Sequence, residues 1–358
     1  MEKRNVYLDS SATTKVREEV LKEMLPYFTD VYGNASSVHT YGQQSKAALT
    51  KARETFAKLI NAESPEEIIF TSCGTESDNI AIAGSLLANE GNHVITSKIE
   101  HHAVLSSCKT LEEEGFEVTY LDVDKNGLVN IDQLKNSIKK DTILISIMFA
   151  NNEIGTIQPI KEIGNIAREH DIYFHTDAVQ AIGNEIIDVK KLNIDALSMS
   201  AHKFYGPKGI GVLYVKNGLN FKKIQDGGHQ EKDKRAGTEN VPAIVGVGKA
   251  IEIAYEDFDR KYNYLKDLRQ YCITRMVKEI PNIRINGDMN NRLVGNVNVT
   301  FKGVNGEALL YNLDRRGICA SAGSACSSGT AQASHVLLAI RTNRRRSKFY
   351  IKIYFWNR

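Results

Sequence analysis

The sequence predicts an α/β protein built around a mostly parallel sheet, and three observations predict it. Strand and helix patterns alternate from about residue 67 to residue 203. The run at 142–149 (Thr142 to Phe149) is almost continuously apolar, as strands buried on both faces of a parallel sheet are. Polar, chemistry-bearing residues recur just beyond the carboxyl ends of these strands, where open α/β sheets bind ligands. The 358 residues, 42% apolar and 25% charged, fit a soluble globular chain of about two domains.

Taken in order, Tyr7-Leu8-Asp9 is extended and runs into a polar turn, and an amphipathic helix is expected over 17–28. Residues 33–37 form a loop. Ala48, Ala52, Phe56, Leu59 and Ile60 recur at helical spacing and predict a helix over 43–60. Strands follow at 67–70, 93–96, 142–149 and 172–175, and another ends at Ser200, with helices from 76 and over 160–170 between them. The Gly/Pro turn after Lys203 leads at once into an apolar strand at 212–215. A glycine-rich, charged loop occupies 227–240, and helices are expected over 241–254 and 257–279. Composition shifts near Asp257, which predicts a second, smaller domain containing a strand at 296–301 and a helix at 306–316.

Charge and cysteine content narrow the function classes. Arg341, Arg344, Arg345, Arg346, Lys348, Lys352 and Arg358 are grouped without an acid; taking these seven from the net +3 leaves the remainder at −4. The body is therefore mildly acidic, and no nucleic-acid partner is expected. No apolar run is long enough to span a bilayer and the first residues carry no apolar h-region, so a cytoplasmic protein without a membrane partner is expected. Cys73, Cys108, Cys272, Cys319 and Cys326 are odd in number and lack CxxC spacing, which indicates neither a disulfide framework nor a metal site.

Thr75, His101, Asn152, Asp177, Gln180, Ser200, His202 and Lys203 all fall at carboxyl ends of successive predicted strands. The turn holding Gly74 and Thr75 opens a helix whose free amides can cradle a phosphate. A flat imidazole at His101 can stack on an aromatic ring, and the Asp177 carboxylate can pair with a ring nitrogen. Lys203 taken alone is also compatible with a solvated turn lysine, but beside these groups it can condense with an aldehyde. Together they form the set that pyridoxal 5'-phosphate requires. Small residues flank Cys326 on both sides, so its thiol can act as a nucleophile or carry sulfur as a persulfide.

At the level of motifs the chain resembles the pyridoxal-phosphate-dependent cysteine desulfurases of the NifS/IscS type, from about Val6 to Ile340. The resemblance rests on Thr75-Glu76-Ser77-Asp78-Asn79, Glu100-His101, Asn151-Asn152-Glu153, His175-Thr176-Asp177-Ala178-Val179-Gln180, Ser200-Ala201-His202-Lys203, Arg235-Ala236-Gly237-Thr238 and Gly323-Ser324-Ala325-Cys326. The last motif resembles the long-loop branch. The resemblance implies an aspartate-aminotransferase-like fold of type I, with a large cofactor-binding domain over 12–256 and a small α+β domain from 1–11 plus 257–340. It implies that Lys203 anchors the cofactor and moves protons, His101 stacks on its ring, Asp177 binds the ring nitrogen and Gln180 the ring oxygen. Gly74, Thr75, Ser200 and His202 then surround the phosphate, Thr238 reaches the phosphate of a partner subunit in a homodimer, and Asn152 helps hold the substrate. The implied reaction converts L-cysteine to L-alanine, leaves a persulfide on Cys326 and passes sulfur to an acceptor such as an iron-sulfur scaffold or a thiolation enzyme.

The resemblance stops after Ile340. Residues 341–358 read as a basic run followed by an exposed apolar end, which truncates the small domain of the family pattern. Relatives carry in that region an arginine that grips the substrate carboxylate, and Lys352 stands in register with it. Impaired turnover is therefore the alternative expectation: a homologue that binds cofactor or partners. Reading Arg341 to Trp356 one nucleotide later permits the family's own pattern, including that arginine, which predicts a one-base frameshift near codon 340. Sequencing the DNA across that codon and weighing the purified protein check this; an intact frame whose relatives share the tail would overturn it.

Overall fold

The computed structural model describes residues 5–322, 334–340 and 350–355. β1 (Val6–Tyr7) opens the chain and is followed by α1 (Glu18–Met24) and α2 (Pro26–Thr29). The single helix expected over 17–28 divides because Pro26 has no N–H to donate to the preceding turn and instead starts α2. α3 (Thr40–Leu59) buries Ala48, Ala52 and Phe56 along one stripe.

The strand-helix alternation then runs β2 (Ile68–Thr71), α4 (Gly74–Leu86), β3 (His93–Ser97), α5 (His102–Glu113), β4 (Glu117–Leu121), α6 (Ile131–Ser137), β5 (Thr142–Ser146), α7 (Ile160–Glu169), β6 (Tyr173–Asp177), β7 (Ala196–Ser200) and β8 (Gly211–Val215). These strands make a seven-stranded sheet in the order β2-β8-β7-β6-β5-β3-β4. Neighbours from β4 across to β7 are parallel, and β8 alone runs against β7 and β2. The carboxyl ends of β2, β3, β5, β6 and β7 consequently share one edge.

Strand β5 is buried at every residue, as its continuous apolar run requires. It is shorter than the 142–149 expected, but the chain beyond it stays beside β6: the Ile147 and Phe149 amides donate to the carbonyls of His175 and Asp177. Sequence reasoning placed no strand at β4. That strand lies at the sheet edge with an exposed Glu117 and a half-buried middle, so its apolar signal is weak.

After β8 come α8 (Val241–Tyr255) and α9 (Phe258–Glu279), separated by Asp257 in a left-handed conformation at φ 50°. This break falls where composition shifts. β9 (Ile283–Asn286), β10 (Asn296–Phe301), α10 (Gly306–Asp314), β11 (Ile318–Cys319), α11 (His335–Ala339) and β12 (Tyr350–Tyr354) complete the described elements. β11 pairs in parallel with β1, which joins the N-terminal residues to this later part of the chain.

The apolar end expected to be exposed is instead buried in its described part. β12 pairs antiparallel with β10, and β10 with β9. Ile351 and Ile353 point to one face and pack with Val297, Val299 and Ile273, while Tyr350 and Tyr354 join the main core on the other. The reason is period-2 alternation, Ile351/Ile353 against Tyr350/Lys352/Tyr354, which gives a strand two faces that can both be covered. Truncating Ile351 to alanine is expected to cost about 2–5 kcal/mol, read by urea unfolding; a loss below about 0.5 kcal/mol would show that β12 is not packed into this core.

Candidate active site

The shared strand edge borders a cavity of about 170 Å³. Gly74, Thr75, His101, Asn152, Asp177, Gln180, Ser200, His202 and Lys203 all line it. Nine of the residues expected from sequence thus converge on one space. Thr238 is exposed on the loop before α8 and does not line the cavity, and Cys326 lies outside the described residues.

One wall is the start of α4. Cys73 stands at its N-cap in extended conformation, and its sulfur accepts from the Glu76 amide at 3.5 Å. At Gly74 a Cβ would lie 2.7 Å from Val179 Cγ2 and 3.3 Å from Ser200 Cβ, so this close approach of α4 to the ends of β6 and β7 requires glycine. Free amides at a helix start, with Thr75 and Ser200 hydroxyls beside them, form an anion cradle. Arg235 braces it through Glu76, its Nε donating to the carboxylate at 2.8 Å.

At the end of β6, Asp177 is 6% exposed. Burial pushes its carboxyl up to about 6, opposed by the Val179 amide donating to Oδ1 at 2.9 Å and by the Lys203 ammonium. Lys203 sits in a single 3-10 turn after β7, and its Nζ donates to the carbonyls of Ser11 and Ala12 at 2.5 and 2.9 Å. Gln180 donates to the same Ser11 carbonyl at 3.0 Å. This N-terminal strap is held by Thr14, whose amide and hydroxyl both donate to the His202 carbonyl. Sequence reasoning missed Ser11 and Ala12 because they act through backbone carbonyls, which leave no side-chain signature.

The imidazoles are held neutral. His101 caps α5, with Nδ1 accepting from the Ala103 amide at 3.2 Å, which places the ring proton on Nε2. Burial and then the Lys203 charge bring its pKa down to about 4. His202 is likewise lowered to about 4 by burial and Lys203, and its Nδ1 lies 3.1 Å from the Thr13 hydroxyl. Asn152 is fixed by its neighbours: Asn151 donates to the Ile99 carbonyl at 2.9 Å and accepts from the Glu153 and Ile154 amides.

Lys352 also lines the cavity, 1% exposed, between Tyr350 and Tyr354 on β12. Its backbone is held by Ser321, whose carbonyl accepts from the Lys352 amide at 2.7 Å. A phosphate cradle, a flat neutral ring, a buried carboxylate and a primary amine surround one space, and pyridoxal phosphate fits that donor set.

Comparison with known proteins agrees with this chemistry. The family described as "Aminotransferase class-V" matches residues 6–354, a span that takes in β12. The chain is 55% identical over 341 residues to "Cysteine desulfurase IscS" of Clostridium botulinum, covering 94% of this chain and 86% of that protein. It is 57% identical over 340 residues to the protein of the same name from Methanosarcina thermophila, covering 94% and 84%. Among solved structures, a "NifS-like protein" superposes with TM-score 0.92 at 36% identity, covering 99% of this chain and 94% of that one. A structure titled "SspA in complex with cysteine" gives TM-score 0.84 at 38% identity, covering 98% of each chain. A fold, a cofactor pocket and relatives that agree at this level place the chain in the class-V aminotransferase family, among the pyridoxal-phosphate-dependent cysteine desulfurases of the NifS/IscS type.

Proposed function

We propose that this protein removes sulfur from L-cysteine, releasing L-alanine and leaving the sulfur as a persulfide on Cys326. The observation that carries the reading is the convergence of Lys203, Asp177, His101 and the Gly74–Thr75 cradle on one cavity. When bound, pyridoxal phosphate supplies an electron sink for the charge left as the substrate's α-proton departs. Asp177 offers its buried charge to the ring nitrogen, and His101 presents a neutral ring face. Gln180 would meet the ring oxygen, and Ser200, His202 and Thr75 would hold the phosphate. Lys203 would hold the cofactor's aldehyde, and its Nζ is the base that would take the α-proton of the substrate. The Cys326 thiolate forms the new S–S bond as the substrate C–S bond breaks; the bonding pair stays with the β-carbon, which takes a proton, and Nζ returns the α-proton to give alanine.

We further propose a homodimer in which Thr238 serves the partner's phosphate site. Its exposure away from its own cavity supports this, as do the exposed Leu21, Leu25 and Phe28 along the early helices and Tyr32 just after them. The domain reading keeps 12–256 as the large domain and 1–11 with 257–340 as the small one, with β12 added to the latter; the pairing of β12 with β10 and of β1 with β11 supports it. The sulfur acceptor is proposed to be an iron-sulfur scaffold or a thiolation enzyme. The cytoplasm is the proposed compartment, since persulfide handling needs reduced thiols. Among the described residues no helix is long and apolar enough to cross a membrane.

Alanine release from L-cysteine by the cofactor-loaded protein tests the main reading, and Cys326→Ser is expected to abolish sulfur transfer. A second reading, slow turnover, is favoured by Lys352. Lys352 lines the cavity with Asn152, and its ammonium offers a carboxylate a point charge without a bidentate fork. Lys352→Arg is expected to lower KM for cysteine about tenfold, the worth of one added charge-assisted hydrogen bond, and Lys352→Met to raise it by at least as much. Steady-state kinetics that leave KM unmoved in both variants would remove Lys352 from substrate binding. Gly74→Ala is expected to weaken pyridoxal phosphate binding at least tenfold, because its methyl pushes Val179 and Ser200 out of the cradle; an equilibrium titration of the cofactor's absorbance checks this.

A further inference from the structure

On the cavity wall a second carboxylate faces Asp177. Asp78 lies in the second turn of α4, which packs across β6 and β7, and it is 1% exposed. One oxygen of Asp78, one of Asp177 and a ring nitrogen of His101 all lie within 4.8 Å of one another. Asp78 Oδ1 accepts no hydrogen bond, although it is only 3.7 Å from His175 Nε2. That imidazole brings no charge. It is wedged between the Ser146 and Ser198 hydroxyls at 2.8 and 2.9 Å, and complete burial lowers it to about 3.

The other ionisable groups facing Asp78 are acids. Asp177 ends β6, Glu100 lies beyond β3 and Cys73 caps α4, while the Ser198 hydroxyl on β7 offers a hydrogen bond. The Lys203 ammonium acts on Asp177. Two carboxylates buried this closely, with a lysine acting on the outer one, cannot both ionise cheaply.

We propose that Asp78 is a positioning residue that holds the one proton shared by the Asp78–Asp177 pair, leaving Asp177 as the anion that meets the cofactor's ring nitrogen. This rests on the role given to Asp177 above. Burial first, and the Asp177 charge second, push the Asp78 carboxyl well above the usual carboxylate range.

A proton held in the native state but released by the unfolded chain near about pH 4 makes stability fall as pH rises above that value. Asp78→Asn keeps the shape, never ionises and removes that slope. In full-length protein, with cofactor and after its removal, the infrared carbonyl stretch of a protonated acid is expected at neutral pH and reduced in D78N. Burial raises the Glu100 carboxyl to about 8, so it contributes its own band, and the assignment comes from the difference between wild type and D78N. The D78N melting temperature is expected to match wild type near about pH 4 and to exceed it by at least about 2 °C near about pH 8. Asp177→Asn supplies a second assignment should D78N fail to fold: the band persists there if Asp78 carries the proton. A band unchanged in D78N or lost in D177N, or a D78N protein less stable at every pH, would overturn the proposal. A D177N protein that binds pyridoxal phosphate as tightly as wild type would instead overturn the role of Asp177 and leave the proton assignment standing.

Discussion

A carboxylate buried at the end of a parallel strand sets the terms for the rest of this molecule. Asp177 sits where β6 leaves the sheet, shielded from water, and burial alone would neutralise it. The Val179 amide and the Lys203 ammonium hold it toward the charged form. Such a group stays ionised only if a cation meets it. The proposed partner is the ring nitrogen of pyridoxal phosphate. His101, His175 and His202 are all kept neutral by burial, so among the described cavity-lining residues Lys203 and Lys352 supply the positive charge. One ammonium lies toward the Ser11 and Ala12 carbonyls, and the other belongs to a residue of β12.

The second constraint is the join between the two sheets, and it passes through Glu153. Its carboxylate accepts from Ser334 at 2.6 Å and from Tyr350 at 2.9 Å, and its carbonyl accepts from Asn296 and Asn298, each at 3.1 Å. One residue after Asn152 is therefore bonded to α11's cap, to β10 and to β12. The same strand that buries Tyr350 and Tyr354 in the main core must turn Lys352 toward the cavity, since alternate residues of a strand share a face. The identity of one side chain in β12 thus bears directly on the cavity wall, although the strand itself is held by apolar packing.

Much of this was legible in the residues. Strand-helix alternation and the apolar run at β5 predicted the sheet, because a strand buried on both faces needs apolar side chains throughout. Thr75, His101, Asp177 and Lys203 were legible because each ends a predicted strand, and a parallel sheet must bring those ends to one edge. β4 escaped because an edge strand with an exposed Glu117 carries little apolar pattern. The strap at Ser11 and Ala12 escaped because a carbonyl acts the same from any side chain. Asp78 was visible only as part of a motif, since nothing along the chain shows that a carboxylate on α4 comes within 4.8 Å of one on β6.

The sequence by itself determined the order of elements, the mostly parallel sheet and the residue types that a pyridoxal phosphate site needs, since these follow from local periodicity and from strand ends. Only the tertiary structure decided which charges survive burial, which carbonyls hold Lys203, and that Tyr350, Ile351, Ile353 and Tyr354 complete a sheet instead of facing water. Those outcomes depend on contacts between residues far apart in the chain, and on the low dielectric that such contacts create.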